Sequence, residues 1–233
     1  MLNLIIHNQS EEQKQAVEGI MKSKESVLNE AKAGEKCYAD SQGWLDTGEW
    51  ADDAKLKHLE EFAKEIRANA DAFVLIGVGG SNNAARSVVE ALREDGAPEI
   101  IYAGNTLSPD ALNRMMKKLE GKSIYIDCIA KNFETLEPGS SFRILRQYME
   151  KTYGEEAHKR IIATGTIGSS LEELCTKYGY TFLEFPLNVG GRYTAMTNVG
   201  LLPMAVAFLT GKELQGSMYW AMSIIGLKDY TVL

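Results

Sequence analysis

The pattern of apolar and polar positions changes character near residue 70. Before that point apolar side chains recur at helical steps. Val17, Ile20, Met21, Val27 and Leu28 are three, four or seven apart or adjacent. Ser10 with Gln13 has capping-box spacing ahead of them, and Gly34 stops the run. A second helical pattern over residues 56–68 puts Leu59, Phe62, Ala63 and Ile66 on one face. Between the two lies GWLDTGEW, with Trp44 and Trp50, which reads as a loop. No strand is expected in this part.

From residue 72 short apolar, β-branched runs alternate with amphipathic helical patterns. The runs cover residues 72–76, 99–103, 123–129, 160–163 and 180–185; the helical patterns cover about 81–94, 108–119, 139–152 and 168–178. Runs apolar on both faces and separated by helices predict a parallel sheet covered on both sides. The expectation is an α/β protein: a five-stranded parallel sheet, doubly wound, with helices on both faces. Residues 1–70 form a helical N-terminal segment and 71–187 the α/β domain. Residues 188–233 lead away in two more helices, broken near Gly211.

In such a sheet ligands bind beyond the carboxyl ends of the strands. After the first run comes Gly77-Val78-Gly79-Gly80-Ser81-Asn82-Asn83. It opens a helix whose free N–H groups suit an anion or a hydroxyl-rich ligand. The dinucleotide fingerprint fails because Asn82 holds the third glycine place, and no Gly-Lys-Ser/Thr follows to make a phosphate loop. Glycines needed for packing alone are the competing reading. After the third run, AKNFETLEP places Lys131 just past a strand end, with Thr135 as helix cap and Glu137 and Pro138 in the first turn. Lys131 fits either a phosphate or plain solvent. After the fifth run, PLNVGGRYT sets Gly190 and Gly191 before Arg192, whose guanidinium suits an oxyanion or a structural carboxylate.

Composition narrows the classes. The 233 residues carry 25 Lys+Arg against 32 Asp+Glu, a net charge of -7, which speaks against a nucleic-acid surface or a polybasic membrane patch. The apolar stretch 199–209 contains Gly200 and Pro203 and is too short to span a bilayer. The N-terminus has no basic flank for a secretion signal. Cys37, Cys128 and Cys175 are far apart and form no CxxC, which favours reduced thiols and a cytoplasmic setting. His7, His58 and His158 read as surface residues.

Taken together, FVLIGVGGSNNAAR, AKNFETLEP and VGGRYTAMTNVGLLPMAVA resemble the glucose-6-phosphate isomerase family in order and spacing, as do GWLD, YAGNTLS, FRILRQYMEKTYG and HKRIIAT. The resemblance covers residues 40–225. It implies the first of two sugar-isomerase-type domains, and aldose–ketose conversion of glucose 6-phosphate and fructose 6-phosphate through a cis-enediol, with no metal or organic cofactor. It implies that Arg192 stabilises the enediolate, that Gly79, Gly80, Ser81 and Gly191 meet the sugar, and that Lys131, Asn132 and Thr135 hold the phosphate. The family's catalytic glutamate, ring-opening histidine and C-terminal lysine belong to a second half that these 233 residues do not include. The alternative is a non-catalytic sugar-phosphate-binding or scaffold homologue; a third arrangement is an enzyme assembled from two polypeptides. A homodimer is expected, partly because the apolar helix from Val199 would need a cover. In the phosphate loop Ala130, Asn132, Glu134 and Leu136 stand where the family has hydroxyl or other polar residues. Glu134 either points to solvent or itself occupies the anion place. In the latter case two like charges about 4 Å apart would cost a phosphate about 4 kcal/mol.

Overall fold

The structure is a computed structural model and describes residues 10–33, 41–93 and 95–207. Gly34, Cys37, His7 and everything after residue 207, including the break expected near Gly211, lie outside the described residues.

The sheet forms where the pattern places it. Its strands are β1 (Ala72–Ile76), β2 (Glu99–Ala103), β3 (Ile124–Ala130), β4 (Ile161–Gly165) and β5 (Thr181–Glu184). Every residue of β1, β3 and β4 is buried, as a sheet covered on both faces requires. All pairs are parallel, in the order β2-β1-β3-β4-β5. The chain steps outward to β2 from β1, then crosses back to β3 and continues the other way. The direction of winding therefore reverses between β1 and β3, and in sheets wound this way ligands bind beyond the strand carboxyl ends at the reversal.

Two apolar layers sandwich the sheet. One face packs Phe73, Leu75, Tyr125, Ile129 and Ile162 against helices α4 (Asp53–Asn69), α5 (Gly80–Leu92) and α9 (Asn198–Ala207). The other packs Val74, Ile76, Ile124, Ile126 and Cys128 against α6 (Pro109–Leu119), α7 (Leu136–Tyr153) and α8 (Ser170–Tyr178). The N-terminal helices α1 (Glu11–Ser23) and α2 (Glu25–Lys32) precede them, with the expected Ser10/Gln13 capping box. Their apolar positions Val17, Ile20, Met21 and Val27 are exposed. The short helix α3 (Thr47–Trp50) follows a single 3-10 turn, Gly43–Leu45.

One expectation is corrected. The sequence reading leaves the apolar helix from Val199 bare; in the structure every residue of α9 from Val199 to Ala207 is buried, under α4 and α5 and against the sheet. A helix apolar all round belongs inside, and the Arg67 guanidinium ties α4 to the Val206 carbonyl at 3.2 Å. The described part of that helix thus gives no ground for self-association. Among the described residues, no helix is long and apolar enough to cross a membrane.

Candidate functional site

The β1 loop leaves the sheet at Gly77, whose N–H donates to the Ala103 carbonyl at 3.0 Å. Gly79 caps α5 with φ +61°, a conformation that side chains rarely adopt. Gly80 is a different case. A Cβ there would lie 1.9 Å from the Gly191 carbonyl oxygen and 2.6 Å from the Arg192 nitrogen. The two glycine-rich segments, more than a hundred residues apart in sequence, therefore touch backbone to backbone. Ser81, in the first turn of α5, stands beside Gly77, with its Cβ 3.3 Å from where a Gly77 Cβ would be. Asn82, where the dinucleotide fingerprint would put glycine, is buried. Its amide donates to the Gly77 carbonyl at 2.9 Å and reaches the Ala103 carbonyl at 3.5 Å, holding the β1 and β2 loops together.

The β3 loop departs from expectation at Lys131. Its ammonium donates to the Leu187 carbonyl at 2.6 Å and the Val189 carbonyl at 3.0 Å, and lies 5.9 Å from the centre of the Phe185 ring. Lysine has three N–H donors, and two of them are spent on the segment that leads to Arg192. The Lys131 carbonyl is held in turn by the Thr166 hydroxyl at 3.0 Å. Asn132 closes an Asx turn, its Oδ1 accepting from the Glu134 N–H at 2.9 Å. Thr135 does take the N-cap place of α7, but it makes no side-chain cap bond; its hydroxyl donates to the Asn132 carbonyl at 3.0 Å. The Glu134 side chain is exposed, the solvent-facing alternative of the two.

The third segment runs through Gly190 into a 3-10 turn, Gly191–Met196, that carries Arg192. Arg192 is exposed. The GWL stretch braces this segment from the far side. The Gly43 N–H donates to the Asn188 carbonyl at 2.9 Å, and Gln42 bridges antiparallel to Val189. A Cβ on Gly43 would lie within 2.4 Å of the Asn188 amide. The Trp50 indole N–H donates to the Gly43 carbonyl at 2.8 Å, and the Trp44 ring stacks on Tyr193, centroids 4.9 Å apart.

Gly79 and Ser81 flank Gly80 at the start of α5, and the other expected residues fall into two groups. Gly80, Gly191, Arg192 and Lys131 gather along one segment beside the β1/β3 reversal. Asn132 and Thr135 make bonds within their own turn at the start of α7. Asn82, Gly43 and Asn188 are additions that the sequence reading lacks. Each stands in a segment that the sequence singles out, Asn82 in GVGGSNN, Gly43 in GWLD and Asn188 in PLNVGGRYT, but with no contact assigned to it there. Of the histidines, His58 is exposed on α4, and half-buried His158 follows α7 at the amino end of β4, its Nδ1 paired with the Glu155 carbonyl at 2.6 Å. Among the described residues no three His, Cys, Asp or Glu side chains stand together as a metal site.

Asp127, another addition, lies in the middle of β3 and is wholly buried. Burial pushes its carboxyl up from 3.8 to about 7, against the pull of hydrogen bonds with Thr164.

A parallel sheet of this winding, with a glycine-rich turn and an arginine segment meeting at its carboxyl edge, defines a doubly wound α/β protein with its candidate site at the reversal. The same fold is seen in a hypothetical protein from Thermus thermophilus (TM-score 0.73, 23% identity, 86% of this chain and 49% of that one). It is seen also in a glucose-6-phosphate isomerase from Chlamydia trachomatis (TM-score 0.72, 18% identity, 94% of this chain and 47% of that one). The sequence model described as phosphoglucose isomerase matches residues 17–215. The chain belongs to the phosphoglucose isomerase family. It is 41% identical over 177 residues to the glucose-6-phosphate isomerase of Symbiobacterium thermophilum, covering 71% of this chain and 40% of that one. It is 38% identical over 189 residues to that of Staphylococcus saprophyticus, covering 78% of this chain and 43% of that one. The chain therefore spans about two fifths of the length of these relatives.

Proposed function

We propose that this chain supplies the sugar-phosphate-recognising part of a glucose-6-phosphate isomerase, which interconverts glucose 6-phosphate and fructose 6-phosphate. The observation that carries the reading is the contact of Gly80 with the Gly191–Arg192 peptide, beside the Lys131 clamp. It sets the backbone of Arg192, whose side chain is a permanent cation, against the first turn of α5, where free N–H groups and the helix dipole favour negative charge.

In this reading Arg192 stabilises the oxyanion of an enediolate as it forms, an electrostatic role that needs a fixed donor and no proton transfer. Gly79, Gly80, Ser81 and Gly191 let the sugar approach main chain. Asn132, Thr135 and the first turn of α7 receive the phosphate, with Lys131 behind them. The proton moves between C2 and C1 by a base outside the described residues. A cytoplasmic setting fits the free, buried Cys128 and Cys175. The homodimer expected from the family is retained as part of the proposal.

The second reading, a non-catalytic binding homologue, has its own observation: neither described histidine lies in the segments that gather around Arg192. Calorimetry with glucose 6-phosphate, run beside a coupled isomerase assay, tests both. The shared expectation is binding in about the millimolar range or tighter, weakened about tenfold or more in Arg192→Met. Turnover once the carboxyl-terminal half of a family member is added selects the first reading, and binding that no added half converts into turnover selects the second. An absence of heat from the unmodified chain overturns both.

A further inference from the structure

Three consecutive carbonyls ahead of the GGR turn are held from two sides. Leu187 and Val189 accept from the Lys131 ammonium, and Asn188, between them, accepts from the Gly43 N–H. Alternation of this kind is what an extended strand offers, its successive carbonyls pointing opposite ways. Here the second partner is not a strand but a single side chain. Lys131 reaches over from the end of β3, its own backbone fixed by Thr166. Val189 is wholly buried beneath the clamp, whereas Leu187, just upstream, is largely exposed. Two residues beyond Val189 the chain enters the turn that carries Arg192, pressed against Gly80.

We propose that Lys131 is a positioning residue for Arg192, a splint that fixes the 187–191 backbone, and is not the charge partner of a bound anion. The inference deepens the sugar-phosphate reading by assigning that ammonium to the protein's own main chain. The physical ground is saturation. A lysine with two short carbonyl bonds has one N–H left, and freeing the others would strand two carbonyls, one of them on a buried residue. Charge alone does not decide the role; the geometry of the two acceptors does. Arg192, exposed and on the far side of the glycine pair, is left as the cation open to a ligand.

The test needs no ligand. Amide hydrogen exchange is followed in the unmodified chain, Lys131→Met and Lys131→Arg, at Gly43, Val189 and Tyr193, whose N–H groups donate to Asn188, Pro186 and Gly190. In Lys131→Met, exchange at these amides accelerates about tenfold or more, the effect of losing charge-assisted bonds. The carbonyl carbon resonances of Leu187 and Val189 move, and amides within β1 and β3 keep their protection. Lys131→Arg, which restores donors, brings back part of the protection. Unchanged exchange at all three amides in Lys131→Met overturns the proposal, as does loss of protection spread evenly through the sheet. Calorimetry with inorganic phosphate forms the second arm: the splint predicts that Lys131→Met weakens binding only together with the loss of protection at these amides, and that Lys131→Arg recovers the two in parallel. Loss of phosphate binding in Lys131→Met with exchange unchanged makes Lys131 the anion's partner and overturns it too. Should the unmodified chain bind no phosphate or sugar phosphate, the functional reading fails while the exchange result still judges the splint.

Discussion

Asp127 is a carboxyl group where the fold has no place for a charge. It sits in the fully buried strand β3, on the face that carries Tyr125 and Ile129. Its described partner is Thr164, whose hydroxyl lies 3.1 Å from one oxygen and 3.2 Å from the other. One threonine cannot satisfy both oxygens of a buried ion, so the protonated acid is the better guest, and the carboxyl titrates near 7 instead of 3.8. Between those values the folded chain holds a proton that the unfolded chain has released. Stability therefore falls as pH rises from about 4 to about 7 and is level above, the reverse of an ion-paired carboxylate. About three pH units at 1.36 kcal/mol each give a loss on the order of 4 kcal/mol. Asp127→Asn keeps the shape and a partner for Thr164 but cannot ionise. Urea unfolding of both proteins at a series of pH values from about 4.5 to about 8 isolates this group, because every other titration cancels in the difference. The variant should gain on the unmodified chain by several kcal/mol toward neutral pH, with most of the gain reached near pH 7. Two curves that stay parallel across the range would refute the assignment of a buried, uncompensated acid.

Three further outcomes follow from the same contacts. Gly80→Ala forces its methyl into the Gly191 carbonyl, so denaturant unfolding should show a loss of about 1–3 kcal/mol and calorimetry a matching loss of any sugar-phosphate binding. Trp44→Ala removes the stack on Tyr193; beyond the lost area this costs about 0.5–1.5 kcal/mol, read by the same unfolding assay, and Tyr193 emission should rise as its ring neighbour disappears. Cys128 and Cys175 are buried and free, their thiols pushed well up and up to about 11 respectively; a chromogenic thiol reagent at about pH 8 should leave both unreacted in the native chain and titrate them once urea is added.

The parts of the fold that are legible in the sequence are those decided locally. β1 and β2 lie where the apolar runs put them, because AFVLI and EIIYA are unbroken stretches bounded by glycine, proline or charge. The edge strand β5 is shorter than its run: Tyr180 and Phe185 are buried beyond its ends, their apolarity serving packing and not the ladder. The cover over α9 escapes the sequence reading because it comes from α4, more than a hundred residues earlier, although a helix with no polar face is itself a signal for the interior. Asp127 also leaves a trace: an acid in the middle of IYIDCIA, a run with no solvent face to put it on. The partners of Lys131 leave none. Which carbonyl a lysine meets across 56 residues is settled by the path of the backbone, and carbonyls have no letter in a sequence.

A candidate site at the winding reversal is a consequence of topology, but topology only brings loop ends near one another. Holding them takes bonds, and the bonds come from groups that sequence comparison would hand to a ligand. Gly80 gives up a side chain so that Gly191 can approach, Lys131 gives two donors to Leu187 and Val189, and Asn132 gives its side-chain oxygen to the turn before α7. What remains for an anion is the exposed guanidinium of Arg192 and the N–H groups at the starts of α5 and α7, which are positive for reasons of backbone geometry and independent of side-chain identity. Substitutions in the AKNFETLEP loop other than at Lys131 should therefore weaken binding less than substitutions that shift the 187–192 backbone, Lys131→Met among them, even where the latter touch no ligand.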